Sequence, residues 1–173
     1  MSRDASGRPT RFPASSWLVW TGAAGPPHRY RAPVHLDLTT FVVRDYDEAI
    51  GFFTEVLGFV VTEDQSSLTN DGRPKRWVVV RPPDGGPGLL LARADRPEQE
   101  RAVGNQAGGR VTFFLRVDDF QASYDRLVEN GVELVGAQRH ESYGSLQVFR
   151  DLYGNQWDLL GPPGTPGMAG SRG

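Results

Sequence analysis

The segment GNQWDLL, residues 154–160, carries a carboxylate inside an otherwise apolar run. Read as a strand, its alternation sets Gln156, Asp158 and Leu160 on one face and Trp157 and Leu159 on the other. An acid in that position does one of two things. It lines a pocket, receives a cation or hydrogen-bond donor from a ligand and, once desolvated, rises in pKa toward acid–base work. Otherwise it is an ion-pair partner of a nearby guanidinium such as Arg110 or Arg116. Trp77, Phe114, Tyr143 and Trp157 also fall on or beside sheet-like segments. Core packing accounts for most such aromatics, yet a sheet cavity needs a lining, and Trp77 and Tyr143 carry polar atoms that can orient a ligand. Lys75 and Arg76, just before WVVV, either draw an anion to a cavity mouth or are a solvated strand end.

Other chemistries find little support. The chain has no cysteine, which removes disulfides, thiolate metal sites and cysteine nucleophiles, and fits a reducing, cytoplasmic setting. The histidines are His28, His35 and His140, and a site drawing on His35, His140 and Asp158 would need a rearranged first strand. No Ser-His-Asp pattern or Gly-x-Ser-x-Gly elbow occurs. GNQAGGR (104–110) lacks the Lys-Ser/Thr ending of a phosphate loop and precedes a strand instead of a helix. It reads as a linker whose Asn105 and Gln106 could lend amides to a pocket. A net charge of −2 without a basic cluster gives no reason to expect nucleic acid. No apolar run approaches the roughly 20 residues of a membrane span.

The elements that must position these residues follow from an internal repeat. Residues 1–33 are rich in Arg, Ser, Gly, Pro and Ala without periodicity, and read as a disordered leader; residues 162–173 read as a disordered tail. SSWLVWTGAAG, after Arg3, Arg8 and Arg11, faintly resembles a secretion signal, but its apolar part is short and is interrupted at Thr21 and Gly22, which favours the disordered leader. Between them, FVVRDYDEAIGFFTEVLGFVV (41–61) matches FLRVDDFQASYDRLVENGVELV (114–135). Tyr46, Ile50, Phe53 and Leu57 repeat the spacing of Phe120, Tyr124, Leu127 and Gly131, one stripe at the helical period. Asp45 and Glu48 predict a capping box, and Gly58 and Gly131 predict left-handed helix ends. Three strand-like runs follow each helix, broken at Asn70-Asp71-Gly72, Asp84-Gly85-Gly86 and Gly154-Asn155. Each half therefore reads β-α-β-β-β. The domain spans 34–161, with modules at about 34–95 and 110–161 and a polar connector that holds a short helix.

VVRDYDEAIGFFTEVLGF (42–59), RVDDF (116–120), NGVELV (130–135) and FRDLYGNQWDLL (149–160), in this order, resemble the vicinal oxygen chelate superfamily of glyoxalases, extradiol dioxygenases, fosfomycin-resistance enzymes and bleomycin-binding proteins. The resemblance implies an α+β fold in which two tandem βαβββ modules form a cupped mixed β-sheet with a central cavity, and a homodimer. It implies four metal-ligand positions, which fall on Leu38, on Leu90 or Leu91, on Thr112 and on Asp158. Only Asp158 is a strong donor. The expectation is therefore a protein that binds a small organic molecule in the cavity without a catalytic metal or other cofactor. Asp158, Gln156, Thr112, Phe114, Trp77 and Tyr143 are its candidate binding residues. The alternative is a glyoxalase-like lyase or extradiol dioxygenase-like enzyme with a displaced Fe, Zn, Ni or Mn site.

Overall fold

The computed structural model describes residues 34–142 and 144–162. The described residues from 36 onward form one compact unit. The expected leader lies outside the described residues, as do the tail beyond Pro162 and the candidate residue Tyr143.

Two βαβββ modules follow one another. The first comprises β1 (Leu38–Val43), α1 (Tyr46–Gly51) running into a π-helical turn (Phe52–Val56), β2 (Val60–Leu68), β3 (Pro74–Arg81) and β4 (Gly88–Arg93). After α2 (Pro97–Ala102) in the connector, the second comprises β5 (Val111–Arg116), α3 (Phe120–Glu129), β6 (Leu134–Glu141), β7 (Gly144–Arg150) and β8 (Gln156–Leu160). The sheets have the orders β1-β4-β3-β2 and β5-β8-β7-β6. In each, the first and last strands pair in parallel and the other pairs are antiparallel. This is the α+β arrangement that the repeat predicts.

The core lies where the helical stripes meet the sheets. Phe41 and Val43 of β1, Tyr46 and Ala49 of α1, and Phe53 are buried together with Phe149, Trp157 and Leu159 of the second module. Trp157, 2% exposed, sits among Phe113, Phe41, Phe53 and Phe149, with ring centroids 4.6–6.1 Å away. It is therefore the aromatic centre that joins the modules, as the core reading anticipates.

Two local expectations are modified. Asp45 caps α1 as predicted, its Oδ1 accepting from the N–H groups of Asp47 and Glu48 at 2.9 and 3.1 Å. Glu48, however, does not reach back. The Asp45 N–H donates to the Tyr153 hydroxyl oxygen at 3.5 Å, and that hydroxyl donates to the Asp45 carbonyl at 3.1 Å. A tyrosine far along the chain thus replaces the local carboxylate, and burial pushes its phenol up to about 12. The helix also widens after Gly51. The N–H of Leu57 donates to the Phe52 carbonyl, while the Thr54 hydroxyl donates to the Ile50 carbonyl at 2.8 Å. A hydroxyl that takes up a carbonyl in the helix ladder favours such a widened turn. Gly58 and Gly131 end their helices at positive φ, as predicted.

No ladder joins β1 to β5. The side-chain amide of Gln106 lies along the free side of β1 instead: its Oε1 accepts from the Val42 N–H at 2.8 Å and its Nε2 donates to the Val42 carbonyl at 3.2 Å.

Candidate functional site

Asp158 lies on the middle of β8, between Phe114 of β5 and Val148 of β7 in register. Its neighbour Trp157 points into the core, so alternation turns Asp158 to the helix-free face of the sheet. Gln156 shares that face, as do Thr112 and Phe114 by the same alternation along β5. Gln156 and Thr112 are half-buried, whereas Phe114 is 66% exposed.

The Asp158 side chain is 8% exposed, and its Oδ1 is buried without a hydrogen-bond partner among the described residues. Burial pushes the carboxyl above the usual range, and the charge of Arg139 works in the opposite direction. The expected partners are not there. Arg116 donates to the Gly161 carbonyl at 3.2 Å, and no ion pair joins Asp158 to Arg110 among the described residues. Arg139 comes near because β6 bulges. Val135 pairs with Val148, but Arg139 pairs with Leu146, which leaves two extra residues on β6. The buried amide of Gln147, 1% exposed, holds the bulge by donating to the Val148 carbonyl at 2.8 Å and to those of Val135 and Gly136 at 3.3 and 3.4 Å.

The turn before β8 is built by a different acid. Asp151, 5% exposed, accepts from the N–H groups of Tyr153 and Asn155, from Asn155 Nδ2 and from Trp157 Nε1, all at 2.9–3.0 Å. Its charge is consumed in orienting the turn and the indole. Sequence reading missed this role, although an Asp two residues before Tyr-Gly-Asn is a signal for such a turn.

Trp77 belongs to the first module. Its Nε1 donates to Glu63 Oε2 at 3.0 Å, which fixes the ring. It borders a cavity of about 510 Å³ that also meets Leu90, Lys75, Arg93 and α1 through Tyr46. All the lining residues come from positions 46–99, so this cavity is built without the second module. The predicted residues thus fall into two places: Trp77 at the cavity of the first module, and Asp158, Gln156, Thr112 and Phe114 on one face of the second. Gln106, a candidate pocket amide, is committed to Val42 as described above.

The donor set does not fit a catalytic metal. Divalent catalytic metals take about three His or carboxylate ligands. Leu38, Leu90 and Leu91 have no donor atom, and Thr112 offers a neutral hydroxyl. His35 and His140 are exposed, and His140 Nδ1 lies 3.0 Å from Ser145 Oγ. His28 is outside the described residues. Among the described residues, no three His, Asp or Glu side chains converge. No described helix is long and apolar enough to cross a membrane.

Comparison with known proteins agrees with the fold. The family described as the Glyoxalase/Bleomycin resistance protein/Dioxygenase superfamily matches residues 35–159. An uncharacterized protein of Shewanella frigidimarina (strain NCIMB 400) is 51% identical over 128 residues, covering 73% of this chain and 90% of its own length. The crystal structure of UcmS2 superposes with a TM-score of 0.61 at 29% identity, over 75% of this chain and 98% of that one. TnmS3, described as an antibiotic binding protein from Streptomyces sp. CB03234, superposes with a TM-score of 0.59 at 29% identity, over 77% and 99%.

Proposed function

Because this chain belongs to the Glyoxalase/Bleomycin resistance protein/Dioxygenase superfamily, we propose that it binds a small organic molecule on its helix-free sheet faces, without a catalytic metal. One observation carries the reading. Asp158 keeps a carboxyl oxygen buried and, among the described residues, unpartnered, an arrangement that costs free energy unless a ligand complements it. The lack of strong donors at the other family ligand positions supports binding over metal chemistry. TnmS3, similar in fold, is described as a binder of an antibiotic, which supports the same class. Phe114, exposed beside Asp158, suits a second copy of the chain closing over this face.

Protein purified without a His tag should show no stoichiometric Fe, Zn, Ni or Mn, and native mass spectrometry should find an organic molecule retained. About one equivalent of metal, removed by a chelator together with an activity, would overturn the reading.

Asp158→Asn gives a second test with two readouts. Binding of the retained molecule should weaken by roughly 1.5–3 kcal/mol, the value of a charge-assisted hydrogen bond. Stability should respond with a definite sign. A carboxyl whose pKa is raised on folding binds more protons in the native state, so the native protein loses stability as pH rises from the unfolded value through the raised one. Asparagine does not titrate. The variant should therefore melt higher than the parent at neutral pH, and the difference should shrink as pH falls below the unfolded value of about 3.9. Unchanged binding with a lower melt at neutral pH would make Asp158 a structural residue.

A further inference from the structure

The cavity of the first module lies in a fork. The β3–β4 ladder consists of Val78–Leu91, Val79–Leu90 and Val80–Leu89. Beyond it, Pro74–Trp77 on β3 and Ala92–Arg93 on β4 part, and the cavity of about 510 Å³ occupies the gap. Tyr46 of α1 takes up part of the backbone that β4 leaves. Its hydroxyl donates to the Arg76 carbonyl at 3.1 Å, and its oxygen accepts from the Arg76 N–H at 3.3 Å. The fork is thus a supported recess, and its volume is in the range of small-molecule sites.

Four cations line it: Arg73, Lys75, Arg76 and Arg93. Two are already neutralised. Arg76 pairs with Asp47 and Asp64 at 2.6 and 2.5 Å. Arg73 pairs with Asp71 and Asp95 at 2.9 and 2.8 Å, and its link to Asp95 ties the β2–β3 hairpin to the segment after β4. Lys75 and Arg93 have no carboxylate partner among the described residues. The Arg93 guanidinium is held over the Tyr46 ring, 5.6 Å from its centroid, a contact that positions the charge without cancelling it. Trp77, Leu90 and Ala92 give the cavity an apolar wall, and the Glu63 contact keeps the indole in place.

We infer that this fork is an anion-selective site, taking a planar organic molecule with a carboxylate or phosphate group. The apolar part lies on Trp77 and Leu90, and the anionic group lies between Lys75 and Arg93. The inference rests on the small-molecule reading above and names the ligand class for one part of it.

The test uses the full chain and three probes of one ring system: 2-naphthoate, 2-naphthyl phosphate and the neutral 2-naphthamide. Calorimetry gives affinity. The indole N–H resonance of Trp77, assigned through Trp77→Phe, gives location. Both anions should bind about tenfold more tightly than the amide, weaken with salt and move the Trp77 resonance. Which anion binds more tightly separates a carboxylate ligand from a phosphate ester. Lys75→Gln and Arg93→Gln should each reduce anion affinity about tenfold at unchanged amide affinity, and Lys75→Arg should retain it. Equal affinity for amide and anions overturns the anion assignment while leaving a small-molecule site at the fork. Anion binding that leaves the Trp77 resonance unmoved, or that both Gln variants retain, overturns the location.

Discussion

Replacing Trp157 with alanine should cost about 3–5 kcal/mol, the usual range for truncating a buried aromatic. The cost should lie at the upper end. The indole touches rings from both modules, Phe53 and Phe41 of the first at 5.9 and 6.1 Å and Phe113 and Phe149 of the second at 4.6 and 6.0 Å, so no single element can relax into the void. Urea denaturation gives the free energy. Trp157→Phe should recover a large part of the loss, because it refills most of the volume and gives up only the bond from Nε1 to Asp151. A Trp157→Ala variant within about 1 kcal/mol of the parent would mean that the modules do not share this core.

Asp151→Ala should be comparable in size for an electrostatic reason. One carboxylate satisfies four donors, three of them on Asn155 and Trp157, both buried. Bonds to an ionised group contribute about 1.5–3 kcal/mol each, but these four are lost together and do not simply add, so about 3–5 kcal/mol is expected. Asp151→Asn is the sharper experiment. It keeps the shape but turns an acceptor into a donor facing donors. It should cost more than a neutral surface change while leaving the fork of the first module, and binding of an anion there, unaltered. An equal loss at the fork would show that the two modules respond as one unit.

The two acids of the RDLYGNQWDLL segment show how far sequence carries. Asp158 was legible because strand alternation alone sets it opposite a core tryptophan. Asp151 was not, since its role depends on a turn that folds Tyr153, Asn155 and Trp157 back around it. The repeat of helix stripes and terminal glycines disclosed both modules because these signals are local. Arg139, the cation that acts on Asp158, was hidden by the two-residue bulge in β6, which shifts the register that simple counting assumes. Glu48 was assigned a local role that Tyr153 fills from the other module. The fork cavity was also illegible: WVVV and GLLLARA read as uniform strands, and nothing in their composition reveals that pairing stops at Val78 and Leu91. Lys75 reads from sequence as an anion contact or a solvated strand end, whereas Arg93 gives no such signal, because its place depends on the Tyr46 ring.

The Gln106 amide has a consequence for the crowded solution in which the chain folds. β1 is an outer strand, and an outer strand with free N–H and C=O groups is a template for pairing with the strand of another molecule. A carboxamide presents the same donor and acceptor as a peptide unit, but it ends there and cannot be extended. By engaging Val42, in the later part of β1, Gln106 fills the place where an incoming strand would register. One side chain thereby guards the chain against intermolecular sheet growth at this outer strand.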